Sequence, residues 1–295
     1  MSFANQRDFR HPGSVKQSRI GGSLKYMNKL IAPSSLALFL GCVLASVCLA
    51  GEERIDASDP TKIYTFMGGG LKYNNYTNGE HMLEARAIGN IGLGEHDMLL
   101  FEAGYGWHEG DQASGKDNGF TNSRLRWFHL YEMNYELEKG YRGFGLQLDA
   151  QLAGSIKGTD GQNQIMFGAM PVFALGGSWN LYLMLMVNNS WDKGWQYWNG
   201  IGPSVTAQFI YDNEDWWPGA QVRLIPTYTY FVAGEFEDEG SGNLEVNVGG
   251  ELSPTVMWDV TAQKSFDIDL RSLSRGPSDD LENDWNIFFN VTSYF

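Results

Sequence analysis

The chain has 295 residues, with 21 Lys and Arg against 35 Asp and Glu. Residues 1–50 hold six of these bases (Arg7, Arg10, Lys16, Arg19, Lys25, Lys29) and one acid, Asp8, so the chain beyond residue 50 carries 15 bases against 34 acids. That excess argues against a nucleic-acid partner, because phosphate neutralisation and counterion release need clustered cations. Both cysteines, Cys42 and Cys48, also lie before residue 51, which excludes disulfides, thiolate zinc sites and cysteine nucleophiles from the rest. All ten Trp and most of the 36 Gly fall in that later part, a composition of strands and turns.

In chain order, Met27-Asn28-Lys29 opens a short basic stretch, Leu36 to Ala50 is apolar, and Cys48-Leu49-Ala50 ends in small residues. This is the layout of a cleaved secretory signal. The run is shorter than the ~18 residues of a membrane-spanning helix and has no basic flank after it. The expected organisation is therefore residues 1–26 upstream of the natural start, a signal peptide over 27–50 and one exported body over 51–295.

Beyond residue 51 no segment keeps helical spacing for long, whereas apolar residues recur at every second position. Leu244, Val246, Val248, Gly250, Leu252, Pro254, Val256, Trp258 and Val260 form one file, interleaved with Asn243, Glu245, Asn247, Glu251 and Asp259. Phe144, Leu146, Leu148 and Leu152 alternate likewise with Gln147, Asp149 and Gln151. Strands with one greasy and one polar face meet two different solvents. The pattern predicts strands over 62–73, 81–91, 97–108, 122–136, 141–155, 163–175, 178–189, 197–211, 219–233, 243–260, 265–273 and 285–295. Long polar connectors, such as His108 to Thr121, alternate with short ones, such as Gly176-Gly177, as in transmembrane barrels. The expected fold is all-β: a closed antiparallel transmembrane β-barrel of about 12 strands, with 10–14 possible.

The chain ends Trp285-Asn286-Ile287-Phe288-Phe289-Asn290-Val291-Thr292-Ser293-Tyr294-Phe295, with apolar residues at 285, 287, 289 and 291. This resembles the C-terminal signature of Gram-negative outer-membrane β-barrel proteins. The resemblance implies outer-membrane localisation and recognition of Phe295 by the barrel assembly machinery; Ser293 departs from the usual apolar or Tyr residue. The stretch Val256-Met257-Trp258-Asp259, a short turn, then Phe266, Ile268 and Leu270 also looks like the nucleoside-specific channel group. It covers a small part of the chain and carries no binding motif.

Neither a cofactor nor a metal is expected. The histidines (His11, His81, His96, His108, His129) lack metal spacing, although His108-Glu109 with Asp111 in the following loop offers a minor cation site. A lipid-active barrel enzyme needs Ser and His together at the lipid boundary, and His129, with Ser123 as its nearest serine in sequence, is the one candidate. Trp191, Trp195, Trp198, Trp216 and Trp217 belong at headgroup level. The acidic loop Glu235, Glu237, Asp238, Glu239 is solvated, with divalent bridging to lipopolysaccharide as its alternative.

The inner polar files predict the lumen-lining residues: Glu84, Arg86, Glu102, Arg124, Arg126, Glu132, Asp149, Arg223, Glu245, Glu251, Asp259, Asp267, Asp269 and Arg271. Nine acids against five bases predict a passive channel for small polar solutes that prefers cations or neutral molecules, nucleosides among them. The alternative is a plugged structural or adhesive barrel, since twelve strands make a narrow lumen. The expected partners are outer-membrane lipid, lipopolysaccharide, the assembly machinery and the solute.

Overall fold

A strand with one apolar and one polar face needs lipid against the first and water against the second. Only a closed sheet does this while leaving no backbone group unpaired in lipid. The computed structural model, which describes residues 59–76, 81–109, 118–156, 161–267 and 283–295, has this arrangement. Its strands are β1 (Phe66–Tyr76), β2 (His81–Gly92), β3 (Asp97–Glu109), β4 (Gly119–Tyr131), β5 (Gly140–Ala153) and β6 (Asn163–Gly176). They continue as β7 (Trp179–Trp191), β8 (Trp198–Asp212), β9 (Gln221–Tyr230), β10 (Gly240–Ser253), β11 (Val256–Asp267) and β12 (Asn283–Tyr294). Each is antiparallel to its sequence neighbours, and β1 pairs with β12 from Phe66↔Tyr294 to Tyr76↔Asn283, closing the barrel. The fold is the expected one, with twelve strands.

Leu125, Phe167, Val187 and Phe289 stand exposed on the outer face, while their strand neighbours Arg126, Gly168, Met186 and Phe288 belong to the inner files. Short turns, Gly177-Ser178 between β6 and β7 and Pro254-Thr255 between β10 and β11, mark one rim as periplasmic. Aromatic rings girdle both rims. On the periplasmic side Tyr131 stacks on Phe144 (4.7 Å), Trp179 packs on Tyr211 (4.9 Å) and Trp217 stacks on Trp258 (6.4 Å). On the other side Tyr105 meets Trp107 and Phe120, and Trp191 packs on Trp195 (5.2 Å). The five Trp of the sequence pattern thus divide between the rims, with Trp195, Trp198 and Trp216 exposed.

Four expectations need correction. The single strand over 243–260 is two strands, β10 and β11, joined at Pro254-Thr255. A two-residue hairpin normally reverses the phase of the inner and outer files. Here a bulge between Glu251 and Ser253, which leaves Leu252 without an opposite number, restores it, so the alternation passes through the turn unbroken. The turn expected at Ala262-Gln263-Lys264 is accordingly strand: these residues pair with Val246, Glu245 and Leu244. The segment 265–273 is no strand of its own; Ser265 to Asp267 complete β11, and 268–273 lie outside the described residues. The spacing that suggested nucleoside-specific channels therefore lacks its turn. Finally, β4 stops at Tyr131, because Glu132 adopts a left-handed φ of 28°.

Candidate functional site in the barrel interior

Inner side chains on β2 to β5 form a continuous charged network. Glu84 is 2% exposed and accepts hydrogen bonds from Arg86 Nε (3.1 Å) and Nη2 (2.9 Å), Thr121 Oγ1 (2.9 Å) and Asn74 Nδ2 (3.3 Å). Arg86 reaches on to Glu102, 3.5 Å away on β3, and Glu102 also receives Arg126 Nη2 from β4. Arg124 donates its Nε to Asp149 Oδ1 on β5 (2.9 Å), and Asp149 is fully buried. Gln147 Nε2 donates to the same carboxylate (3.3 Å). Period-two spacing brings these residues to one face, and pairing registers such as Glu102↔Arg124 and Arg126↔Asp149 set opposite charges side by side.

The facing wall is built mainly of amides. Asp259 on β11 accepts from Asn247 Nδ2 (2.9 Å), Asn290 Nδ2 (2.8 Å) and Thr261 Oγ1 (3.4 Å). Arg223 on β9 donates to Gln221 Oε1 (Nε, 3.0 Å; Nη2, 2.6 Å), and Asn286 Nδ2 donates to Gln263 Oε1 (2.9 Å). Glu245 on β10 is also on this inner file, two residues above Asn247.

Glu84, Arg86, Glu102, Arg124, Arg126 and Asp149 therefore come together as one network, with Arg223, Glu245 and Asp259 across the lumen. Glu251 lies at the periplasmic end of β10, its Cγ against Gly219. Glu132 is not on an inner file: it is exposed in the β4–β5 connection, where its backbone ends the strand. Asp267 ends β11 opposite Ser241, with no description of its side chain, and Asp269 and Arg271 lie outside the described residues.

Two inner residues escaped the sequence reading. Lys72 follows Gly68 and Gly70 on the inner file of β1, and Phe288 sits between Asn286 and Asn290 on that of β12. The Arg86 guanidinium lies 5.9 Å over the Phe288 ring. The glycines hid the phase of β1, and an apolar ring on a polar file gave Phe288 no signal of its own. With Lys72 included and Glu132 removed, Lys72, Arg86, Arg124, Arg126 and Arg223 balance Glu84, Glu102, Asp149, Glu245 and Asp259 in the described middle of the lumen. The expected acid excess is absent there.

Nearer the periplasmic rim the interior turns apolar. Met98, Phe128, Leu130, Met170, Val172, Tyr182 and Ile210 form one buried cluster on β3, β4 and β6 to β8, with Ile63 and Met133 packed against it. Ile63 belongs to the segment before β1, which is tied down at several points. Tyr135 Oη donates to Thr61 O (3.2 Å), Asn90 Nδ2 to Tyr64 O (2.5 Å), Gly92 N to Thr65 Oγ1 (3.2 Å) and Phe295 N to Thr65 O (2.9 Å). This segment and the β4–β5 connection partly fill the periplasmic mouth.

On the outer face His129 Nδ1 lies 3.0 Å from Asp97 Oδ1, which also accepts from Trp127 Nε1 (2.9 Å). Ser123 is on the same strand, six residues away and so roughly 20 Å along it. The pair expected of a lipid-active enzyme is not assembled. Among the described residues no group of three or more His, Cys, Asp or Glu side chains is placed to hold a metal ion, and Asp111 lies outside them.

No protein-family model matches the chain, and no curated protein matches it in sequence. Solved structures do match. An outer-membrane channel from Pseudomonas putida F1 superposes with a TM-score of 0.52 at 13% identity, covering 81% of this chain and 98% of that one. A KdgM porin in complex with disordered oligogalacturonate gives 0.45 at 10% identity, covering 77% and 99%. Outer membrane phospholipase A from Escherichia coli gives 0.41 at 11% identity, covering 80% and 93%. The first of these likenesses, together with the closed sheet, identifies the fold as that of an outer-membrane β-barrel.

Proposed function

We propose that the protein is an outer-membrane channel for passive diffusion of small polar solutes. The observation that carries this reading is the middle of the barrel, where charged and amide side chains line the inner face on both walls. Likeness to an outer-membrane channel at 13% identity speaks for the barrel fold that this reading requires.

Charge balance across the described lumen supports passage of neutral polar solutes, nucleosides among them, over that of net cations. The Phe288 ring adds a flat apolar surface at the same height. Planar bilayers containing the purified protein should show unitary current steps, and proteoliposomes should admit uncharged polar solutes. A second reading, the plugged barrel, draws on the apolar cluster and the segment from Asp59 to Thr65 at the periplasmic mouth. It predicts no current at any voltage. Outer-membrane lipid, the assembly machinery reading Phe295, and lipopolysaccharide at the acidic β9–β10 connection complete the proposed partners.

A further inference from the structure

We infer that the lumen between β1 and β10 is a transit site for small zwitterions, with Lys72 taking the solute's carboxylate and Glu245 its ammonium group. This rests on the channel reading above.

The other charged groups at this height are engaged within their own wall. Glu84, Arg86, Glu102 and Arg126 form one chain of ion pairs, and Arg124 pairs with Asp149. Asp259 is satisfied by Asn247, Asn290 and Thr261, and Arg223 is engaged by Gln221. Among the described residues, no hydrogen bond or ion pair reaches the Lys72 ammonium or the Glu245 carboxylate. The two strands stand three places apart around the barrel, separated by β12 and β11, and each group lies within electrostatic reach of the other.

An unpaired charge on a narrow lumen wall, part-withdrawn from water, attracts a passing counter-charge more strongly than bulk water would allow. Two such charges of opposite sign a quarter-turn apart on the same lumen wall select for a dipole. An anion gains at Lys72 and loses at Glu245, a cation does the reverse, and an uncharged solute gains little at either. A solute bearing both groups gains at both. Arg86, held by two carboxylates and lying over Phe288, does not compete for that solute.

The test uses the full exported chain in proteoliposomes and four near-isosteric solutes: alanine, lactate, alaninamide and lactamide, at mildly acid pH so that alaninamide is a cation. Influx is followed by light scattering. Alanine should enter on the order of tenfold faster than lactamide and faster than either singly charged solute. Lys72→Met and Glu245→Gln should each bring the alanine-to-lactamide ratio toward one. Lys72→Arg, which keeps the charge, should retain the preference. Heat-dependent gel migration establishes that each variant is folded. Equal entry of alanine and lactamide in the unmodified protein, or a ratio unmoved by both charge-removing variants, overturns the zwitterion site while leaving the channel intact. Exclusion of all four solutes by folded protein overturns the channel reading and the inference with it.

Discussion

The Glu84 carboxylate fills the space that a side chain on Gly104 would occupy: a Cβ there would lie 2.0 Å from Glu84 Oε1 and 2.3 Å from Thr121 Oγ1. The missing side chain on β3 thus lets an acid from β2 reach a hydroxyl on β4. Gly104→Ala should displace the carboxylate, break its bonds to Thr121 and Asn74, and loosen its hold on Arg86. The expected cost is about 1–3 kcal/mol, as for other overpacked interiors. Urea unfolding in detergent micelles measures it, and an unchanged midpoint would show that Glu84 relocates without penalty.

Ion selectivity follows from the paired inner wall. With bases and acids in balance in the middle of the lumen, the reversal potential in a salt gradient should lie close to zero. Replacing both Arg124 and Arg126 with Gln leaves Asp149 without its guanidinium and Glu102 with Arg86 alone, and should turn the pore cation-selective. Asp149→Asn leaves Arg124 uncompensated and should turn it anion-selective. Raising the salt concentration should weaken both shifts. Strong cation preference in the unmodified protein would mean that acids outside the described residues govern the pore.

At the periplasmic mouth, Ile63 anchors the segment before β1 to the apolar cluster, and the Tyr135 hydroxyl fastens Thr61. Ile63→Asp places a charge in that cluster and should release the segment. Combined with Tyr135→Phe it should raise unitary conductance by roughly twofold, if access at this end limits the current. A conductance equal to that of the unmodified protein would locate the narrowest point at the charged zone instead.

The connection between β7 and β8 has its own pH dependence. Asp192 accepts backbone N–H bonds from Tyr197 (2.8 Å), Gly194 (3.0 Å) and Gln196 (2.6 Å), and these hold its carboxyl below the ordinary Asp range, Tyr197 contributing most. The folded value is depressed, so the carboxylate's contribution to loop order is complete above the unfolded value of about 3.9 and is lost as pH falls through the folded one. Protease cleavage at this loop should stay constant from neutral pH down to about 5 and increase below about 4. Asp192→Ala should be cleaved readily throughout. Equal resistance of the variant would assign loop order to Asn163, whose Nδ2 donates to Asp192 O (2.9 Å) and Lys193 O (3.0 Å).

The fold was legible because its cause is local. A strand between lipid and water writes its two solvents into alternate residues, and the files at Phe144 to Leu152 and Leu244 to Val248 face as the sequence indicates. Alternation also misled where a compensating defect preserved it. The bulge at Leu252 hid the Pro254-Thr255 hairpin, and Met133 and Tyr135 continued the rhythm of β4 past Glu132 although they belong to the periplasmic connection. The charged zone was legible as a set of residue types but not as pairs. That Arg124 binds Asp149 while Lys72 meets no partner among the described residues depends on register and rotamer, which no single strand encodes.

Access to the middle of the lumen from water is the central claim, and a cysteine placed there tests it most directly. Beyond residue 50 the sequence has no cysteine, so Glu245→Cys gives the exported part expected from Gly51 a single reactive thiol. Unitary current is recorded in a planar bilayer before and after addition of a bulky thiol reagent, and mass spectrometry establishes labelling. The account predicts clear current steps that fall by about half or more on labelling, because the reagent occupies the narrowest charged section. Absence of current from folded protein, or current that labelling at residue 245 leaves unchanged, would contradict it.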